Sequence, residues 1–497
     1  MYLYIDGQRT SGGGAERLTL TNPATGETIA DGIAGADRTD VDAAVASARR
    51  AQPVWGRTTP AERAVVLGRL ASLIDQHLDE LAEMESRQVG KPIRMSKNSD
   101  LPMVADVASF FAGAARQLEG LATGEYVEGY TSSIRRDPVG VVAAITPWNF
   151  PLLMAAWKVF PALAAGNSVI IKPSQLTPDS TLRLAELAVE AGVPAGALNV
   201  LYGTGEKVGE MLASHPGIDM VSFTGSTGGG RAVMRAAAEH NTRVQMELGG
   251  KAAFVVFDDA NLDAAVQGAV AGTITNAGQD CAAATRAYVH RSVFDDFVGR
   301  VAGILGTIRL GDPLSPDTEM GPLISEKHLQ GVERRVSRAQ AEGAVVVVGG
   351  RRSAAAPGGF YYEPTLVVGA AQSSALVQEE IFGPVLAVVP FDTDDEAIAL
   401  ANDTEYGLVA SAWTTDHYRA QRAARELNAG CVWLNDHLPL ASEMPQGGVG
   451  SSGFGKDLSK YSLEEYTTVR HVMSDISGAA EKEWHRTLFD RRPQSEV

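Results

Sequence analysis

Apolar runs and helical patterns alternate most regularly near the middle of the chain. Val139–Thr146 is a continuous apolar run typical of a buried strand, and Leu152–Ala165 has a helical pattern that Pro161 should kink or end. Asn167–Ile171 predicts the next strand. Strands that alternate with helices indicate βαβ units and a parallel sheet, whose ligands bind beyond the carboxyl ends of the strands.

The flanking regions complete the predicted architecture. Residues 1–35 predict a small β segment, and the pattern from Asp40 to about Glu85 is helical. A second alternation of strands and helices runs from Leu262 to about Val432 and predicts a second α/β domain. The fold class predicted is therefore α/β, with more than one domain.

Composition narrows the function classes. The 497 residues are 45% hydrophobic and 21% charged, which excludes disorder over the whole chain and allows roughly three domains. The formal net charge of −17 disfavours nucleic acids and anionic membranes as partners, because phosphate binding depends on Lys and Arg. A small neutral or cationic substrate is compatible with this charge.

The two cysteines are too few for a disulfide framework, so a reducing compartment is expected. The N-terminal residues lack a signal-peptide pattern, and no apolar run reaches the about 18 residues of a membrane span. Neither H-x-x-x-H nor C-x-x-C occurs, so no metal site is predicted. We expect a cytoplasmic enzyme without a bound metal.

Cys281 is the candidate nucleophile. It follows Asn276–Asp280, in which a Gly-Gln pair allows a tight turn near a ligand. The following Ala282–Thr285 could begin a helix, whose N-terminus would favour a thiolate. The alternative is that Cys281 is a small buried side chain. For Cys431, the surrounding apolar strand pattern favours that interpretation.

A thiol needs a base or a polarised partner for covalent chemistry. Glu247 lies between two apolar residues, next to a Gly pair, and is the best candidate base; the alternative is an exposed edge strand. Asn149 follows a predicted strand between two prolines, where its amide could donate to an oxyanion; the alternative is an Asx turn.

Two further strand ends suggest a nucleotide site. Lys172 follows Val169–Ile171, at the carboxyl end of a predicted parallel strand. Phe223–Ser226 ends a strand and opens a helix, a geometry that suits phosphate, although it is not the usual G-x-G-x-x-G. The alternative for Lys172 is a solvated strand end.

Together these segments resemble the aldehyde dehydrogenase superfamily. The resemblance spans the chain from Pro147 to Lys456 and keeps the family's order. The matching segments are Pro147–Pro151, Lys172–Ser174, Phe223–Ser226, Glu247–Lys251, Gly278–Cys281, Glu380–Pro384 and Gly453–Lys456.

The resemblance implies a role for each residue. Cys281 would form a thiohemiacetal with the aldehyde, stabilised by Asn149 and the Cys281 backbone N–H, and hydride transfer would leave a thioester. Glu247 would activate the water that hydrolyses it. The cofactor NAD, with NADP possible, would contact Thr146, Pro147, Trp148, Lys172, Ser174, Gln175, Gly205, Phe223, Gly225, Ser226, Leu248, Glu380 and Phe382.

The family architecture implies a Rossmann-type NAD(P)-binding domain, an α/β catalytic domain and a small β oligomerisation arm. We assign residues 1–120 and 141–248 to the first, and 249–445 to the second. The arm would comprise 121–140 and 446–475, followed by a polar tail over 476–497. Family members are dimers or tetramers, so a homo-oligomer is expected.

Within the family, the sequence is most similar to bacterial γ-aminobutyraldehyde dehydrogenases. The similarity lies in segments such as Phe110–Arg116, Ile134–Pro138 and Ser442–Pro445. It implies oxidation of 4-aminobutanal or a related amino aldehyde during polyamine breakdown. An ammonium group requires carboxylates or aromatic faces, and the candidates are Asp280, Trp157, Phe150, Glu443, Asp106 and Trp433.

Three alternatives remain open from the sequence. Betaine aldehyde or succinate semialdehyde could be the substrate. The thiol could serve a cofactor-independent esterase, or the scaffold could be non-catalytic. Gln175 stands where relatives that prefer NAD often have Glu, which leaves NADP use open.

Overall fold

The computed structural model describes residues 2–354 and 358–489. Its strands are β1 (Leu3–Ile5), β2 (Gln8–Thr10), β3 (Arg17–Thr21), β4 (Thr28–Ala34), β5 (Gly124–Val127), β6 (Tyr130–Pro138), β7 (Val141–Ile145), β8 (Ser168–Lys172), β9 (Leu198–Val200), β10 (Met220–Thr224), β11 (Arg243–Glu247), β12 (Ala253–Val256), β13 (Arg286–His290), β14 (Val345–Val348), β15 (Thr365–Val368), β16 (Val385–Phe391), β17 (Val409–Trp413), β18 (Cys431–Leu434), β19 (Gly453–Phe454) and β20 (Thr467–Asp475).

The α-helices are α1 (Arg38–Gly56), α2 (Pro60–Gln76), α3 (Leu78–Val89), α4 (Ile93–Met95), α5 (Leu101–Ala114), α6 (Pro151–Ala165), α7 (Asp179–Ala191), α8 (Glu210–Ala213), α9 (Thr227–Ala238), α10 (Leu262–Ile274), α11 (Arg291–Leu305), α12 (Glu326–Ala341), α13 (Ala375–Gln378), α14 (Asp394–Asn402), α15 (His417–Glu426) and α16 (Ser459–Glu465). Single π-helical turns span Ser96–Asp100 and Gly205–Gly209. None of the helices within residues 2–354 and 358–489 is both long and apolar enough to cross a membrane.

The first sheet has eight strands in the order β19-β11-β10-β7-β8-β9-β1-β2. Its five central strands, from β11 to β9, are parallel, and the strands at both edges are antiparallel. The chain runs from β7 to β9 in one direction and then returns to the other side of β7 with β10. The order therefore reverses between β7 and β10, and such a reversal opens a ligand crevice beyond the strand ends.

The second sheet has seven strands in the order β14-β15-β16-β13-β12-β17-β18, all parallel except the β14–β15 pair. The predicted α/β class is confirmed. A third sheet, with antiparallel order β20-β6-β5, is formed by residues predicted to belong to the arm.

Pro161 does not end helix α6, which was one of the two effects expected of it. Pro161 lies inside it, and the helix continues unbroken to Ala165. Every residue of α6 is buried, and it packs against α5, α2 and β8. Tertiary packing therefore outweighs the local preference of proline to end a helix.

The helix expected after Cys281 is absent. The backbone N–H of Ala282 donates to Asp280 Oδ1 at 2.8 Å, so the chain forms an Asx turn there. From Arg286 it extends as β13, a central strand of the second sheet. The predicted stabilisation of a Cys281 thiolate by a helix N-terminus is wrong.

Candidate active site

Four strands of the first sheet deliver the candidate residues to one edge. Ile145 ends β7 just before Asn149, Lys172 ends β8, Thr224 ends β10, and Glu247 ends β11. Since these strands are parallel, their carboxyl ends meet at the same side of the sheet. The positions predicted from sequence for Lys172 and Phe223–Ser226 are confirmed by these strand bounds.

The loop between α10 and β13 carries Cys281 to this edge. Asn276, Ala277 and Gly278 all have positive φ angles, so the chain reverses sharply before the nucleophile. A Cβ on Gly278 would collide with the carbonyl oxygen of Gly383, which explains the glycine. The buried Gln279 fixes the loop, because its Oε1 accepts the Ile324 N–H at 2.8 Å.

Asn149 is buried beside this loop. Its Nδ2 donates to the Gln279 carbonyl at 3.1 Å, and its own carbonyl accepts a hydrogen bond from Asn276 Nδ2 at 2.9 Å. The amide therefore bridges to the nucleophile loop and does not close an Asx turn. Its second N–H has no partner in the described part of the chain and remains able to donate.

A cavity of about 590 Å³ opens where these elements meet. The predicted residues that line it are Pro147, Trp148, Asn149, Phe150, Trp157, Gly225, Ser226, Leu248, Asp280, Cys281, Glu380, Phe382 and Trp433. The fold thus brings the candidate nucleophile, the amide donor and both predicted ligand regions to one space.

Other predicted residues lie elsewhere. Glu443 and Asp106 are exposed and do not line the cavity; Asp106 instead accepts a hydrogen bond from Ser442 Oγ at 2.5 Å. Their role as partners of a substrate ammonium stays a prediction. The predicted cofactor residues outside the cavity wall lie at or near the strand ends, and they are Thr146, Lys172, Ser174, Gln175, Gly205 and Phe223.

Lys172 is almost fully buried. Its Nζ donates to the carbonyls of Pro173 at 2.8 Å and Gly203 at 3.1 Å, and burial lowers the pKa of Lys172 to about 7.

Cys281 is partly exposed at the cavity wall. Its enclosure, together with the carboxylates of Asp280, Glu380 and Glu247, raises the pKa of the Cys281 thiol well above its ordinary value. The thiol is therefore the dominant form at neutral pH, and a base must take its proton before attack.

Glu247 is buried, and its Oε1 has no hydrogen-bond partner among the described residues. Burial, followed by the neighbouring Asp457 carboxylate, raises the pKa of Glu247 well above its ordinary value. Glu247 does not itself line the cavity. Its carboxylate lies close to Gly447, and the neighbouring residue Gln446 does line the cavity. The predicted exposed edge strand does not form, because β19 pairs with β11 and covers it.

Sequence reasoning missed a buried polar group behind Glu247. Lys158 Nζ lies 3.1 Å from Asp457 Oδ2, and Gln245 Nε2 donates to Asp457 Oδ1 at 2.9 Å. One signal was available, since Lys158 is the only charged residue in the apolar helix α6. Its partner lies 299 residues away in the chain, and no local pattern identifies it.

Sequence reasoning missed a second group, which includes a residue of the cavity wall. Asp100 lines the cavity and pairs with the buried Lys91, which also pairs with Glu85. Burial raises the pKa of Asp100 to about 6. The available sequence signal was the lysine inside Gly90-Lys91-Pro92, a pattern that by itself predicts only the end of a helix.

The other half of the cavity suits a dinucleotide. Ser226 caps the twelve-residue helix α9, whose free N–H groups and dipole favour a phosphate. Glu380 accepts the Gly250 N–H at 3.0 Å, and burial raises the pKa of Glu380. The Phe382 ring packs edge-on against Trp148, with ring centres 5.3 Å apart.

Unpartnered hydroxyls support this fit. Among the described residues, the buried Oγ1 atoms of Thr146, Thr204 and Thr224 have no hydrogen-bond partner. Each belongs to or closely follows a strand of the first sheet, on the edge where the cavity opens. These residues fit a bound ribose and phosphate. In the described ranges, 2–354 and 358–489, no group of three His, Cys, Asp or Glu residues is arranged to hold a metal ion.

Comparisons with known proteins agree with this geometry. The model of the aldehyde dehydrogenase family matches residues 10–472. Betaine aldehyde dehydrogenase of Bacillus subtilis (strain 168) is 40% identical over 482 residues, which cover 96% of this chain and 98% of the relative.

Two solved structures superpose closely. Betaine aldehyde dehydrogenase from Staphylococcus aureus in complex with NAD+ is 38% identical, with a TM-score of 0.93 over 96% of this chain and 95% of the other. PnpE in complex with nicotinamide adenine dinucleotide is 42% identical, with a TM-score of 0.94 over 96% and 98% of the two chains.

Proposed function

The chain belongs to the aldehyde dehydrogenase family, and we propose that it oxidises an ω-amino aldehyde, 4-aminobutanal in the first place, to the carboxylic acid with NAD. The observation that carries this proposal is the cavity wall, where Asp280 and Asp100 lie in the same enclosure as the thiol of Cys281. The relatives solved with NAD support the cofactor.

Cys281 begins the reaction. Loss of the thiol proton to Glu247, directly or through water, gives a thiolate that attacks the aldehyde carbon and forms a C–S bond. The carbonyl electron pair moves to oxygen. Asn149 and the Cys281 backbone N–H then stabilise the alkoxide, at a site largely shielded from water.

The alkoxide re-forms its carbonyl, the hydride leaves the substrate carbon, and Cys281 holds a thioester. NAD, held by residues such as Lys172, Ser226 and Glu380, would supply the acceptor for that hydride. Glu247 then releases the thiol proton to solvent and becomes a carboxylate again. It next takes a proton from water, whose oxygen attacks the thioester carbon. Expulsion of the thiolate releases the carboxylic acid and returns the cysteine.

The charges of the cavity support a cationic substrate. Its lining contains Asp100, Asp280 and Glu380, and among the described residues it contains neither Lys nor Arg. A primary ammonium can donate hydrogen bonds to such carboxylates. Succinate semialdehyde would place a like charge against them, which argues against it as the substrate.

Betaine aldehyde remains the second candidate, because a relative and a solved structure bear that name. A quaternary ammonium has no N–H and depends on aromatic faces. Trp157, Phe150 and Trp433 line the cavity. The carboxylates favour a primary ammonium over a quaternary one.

We also propose that the chain forms a homo-oligomer through the arm sheet. Strand β20 exposes Val469, Val472 and Met473, and Tyr126 and Val127 of β5 are exposed in the same sheet. Apolar side chains in an exposed sheet are typical of an interface. The domain bounds given from sequence remain our proposal, and residues 490–497 of the tail lie outside the described part.

Substitution Cys281→Ser tests the chemistry. We expect NADH formation to stop while NAD still binds, as followed by quenching of tryptophan fluorescence. Retained NADH formation would overturn the assignment of the nucleophile. Ester hydrolysis by the wild-type enzyme without NAD would show whether the thiol also supports the esterase reaction.

A further inference from the structure

We propose that His437 is a positioning residue, which holds the nucleophile loop in place through a hydrogen bond to the Ala282 carbonyl. This inference rests on the proposed role of Cys281 as the nucleophile, and His437 itself lies outside the cavity wall. It arises from the contacts of the buried His437 ring, from the hydrogen bonds of Ala282 and from the backbone that follows His437.

The His437 ring has one chemical state at neutral pH. Its Nε2 lies 2.9 Å from the Ala282 carbonyl oxygen, and its Nδ1 lies 2.9 Å from Ser411 Oγ. Because a carbonyl only accepts hydrogen bonds, Nε2 carries the proton and Nδ1 accepts the Ser411 hydroxyl. Burial lowers the pKa of His437 to about 4, so the ring is neutral. The imidazole therefore donates to the nucleophile loop in a single tautomer.

Packing fixes the ring in this orientation. His437 is 6% exposed, and its ring centre lies 5.0 Å from that of Trp433 and 5.6 Å from that of Phe254. A Cβ on Gly272 of α10 would lie 2.9 Å from His437 Cδ2, so the glycine leaves room for the ring. An imidazole enclosed in this way has little freedom to exchange the Ala282 carbonyl for another acceptor.

Two hydrogen bonds hold the backbone of Ala282, which directly follows Cys281 and lines the cavity. Its N–H donates to Asp280 Oδ1 at 2.8 Å, and its carbonyl accepts from His437 Nε2. Loss of the imidazole would leave a buried carbonyl without this donor, which favours a shift of the segment towards water. A shift of about 1 Å in a reacting group can slow a reaction by about 100-fold.

The residues that follow His437 form part of the cavity wall. Together with Trp433, which donates from Nε1 to one of their carbonyls, the wall residues of this loop are Leu438, Pro439 and Leu440. Leu438 has a φ of 78°, which residues other than glycine rarely adopt, so contacts around it must hold it there. Cys281 and Leu438 pack against the same apolar cluster. His437 therefore connects the segment of the thiol to the wall loop.

The first measurement is single-turnover NADH formation from 4-aminobutanal by the NAD-saturated full-length enzyme. Its rate constant reports the position of the reacting group, whereas its amplitude reports the fraction of correctly folded enzyme. His437→Phe keeps an aromatic ring but loses both hydrogen bonds. We expect it to lower the rate constant by about 10–100-fold without a matching loss of amplitude.

Two amide variants separate the hydrogen bond from the ring. The longer side chain of His437→Gln can place its NH₂ near the position of Nε2, so we expect a rate constant within about threefold of wild type. His437→Asn is too short to reach Ala282 and should behave as His437→Phe does, which keeps the test valid if the phenylalanine does not fit. Ser411→Ala is the matched control, because it removes only the bond to Nδ1 and should leave the rate constant nearly unchanged.

The second measurement needs neither aldehyde nor NAD. Iodoacetamide alkylates both cysteines, and peptide mass spectrometry distinguishes Cys281 from Cys431, which pairing with β17 holds in β18. Because its enclosure raises the pKa of the Cys281 thiol, a loosened loop should expose the thiol and speed its alkylation several-fold at neutral pH. We expect this increase in His437→Phe and His437→Asn, with no change at Cys431.

The outcomes separate the two proposals. No NADH from 4-aminobutanal in the wild-type enzyme would overturn the proposed function, and the alkylation rates would still test His437. Slower NADH formation with faster alkylation of Cys281 alone supports the role of His437. An unchanged rate constant in His437→Phe and His437→Asn, an equal loss in His437→Gln, or a parallel increase at Cys431 would overturn that role.

Discussion

Lys158 Nζ and Asp457 Oδ2 form an ion pair 3.1 Å apart, and neither side chain is exposed. The pair connects helix α6 to the segment that precedes α16. Asp457 contributes to the raised pKa of Glu247, whereas Lys158 opposes it. The charge state of the candidate base therefore depends on residues that do not line the cavity.

This relationship predicts the acid side of the pH profile. Glu247 must be a carboxylate to accept a proton, so thioester hydrolysis should slow as the pH falls through its raised pKa. Asp457→Asn removes the negative neighbour and leaves Lys158 unopposed, and both changes lower that pKa. We expect the acid limb of the hydrolysis rate, measured by stopped flow, to move to lower pH.

Glu247→Gln is the control for this limb. It removes the base for both proton transfers, so the formation of NADH and the hydrolysis of the thioester should both slow, and neither rate should show the acid limb. An acid limb at the same pH in wild type and Asp457→Asn would contradict the coupling of these two carboxyl groups.

The same pair makes a prediction about stability. Lys158→Met leaves Asp457 charged and buried without its partner, which should cost about 3–5 kcal/mol of unfolding free energy. Arg38→Ala breaks the exposed Arg38–Asp42 pair of α1 and should cost below about 1 kcal/mol. Urea unfolding followed by circular dichroism measures both, and equal losses would show that burial does not decide the effect.

Asn149 should act on the transition state. Its free N–H is expected to stabilise the alkoxide, so Asn149→Ala should lower kcat by about 10²–10³-fold with a smaller change in KM. Steady-state NADH formation gives both constants. A raised KM with unchanged kcat would show that Asn149 only binds the substrate.

Gln175 should set the choice between the two dinucleotides. Its side chain keeps the hydrogen-bonding capacity of a glutamate but lacks the charge that repels a 2′-phosphate. We expect Gln175→Glu to lower kcat/KM with NADP by about tenfold or more, by like-charge repulsion, and to retain activity with NAD. An unchanged NAD-to-NADP ratio would remove Gln175 from the specificity determinants.

Local patterns predicted the framework of the site. The strand ends at Ile145, Lys172 and Thr224 follow from apolar runs bounded by turns, and parallel pairing places them together. The strand that ends at Glu247 was not predicted. Gly278 indicated the turn before Cys281. The family resemblance then suggested the roles.

Pairs distant in sequence were beyond such patterns. The Lys158–Asp457 pair and the Lys91–Asp100 pair exist only because packed elements bury the charges together. The direction of the Asp106 side chain also depends on packing. Helix α5 carries Asp106, which accepts a hydrogen bond from Ser442 and does not line the cavity. The helix expected after Cys281 does not form, because strand pairing in the second sheet determines the conformation of the segment that follows.

The most direct test of the proposed function is the rate of NADH formation by the purified enzyme over four aldehydes, each with NAD and with NADP. The aldehydes are 4-aminobutanal, betaine aldehyde, succinate semialdehyde and butanal. We predict the highest kcat/KM for 4-aminobutanal with NAD and the lowest for succinate semialdehyde. A higher value for betaine aldehyde or succinate semialdehyde would contradict the proposed recognition of a primary ammonium by the cavity carboxylates.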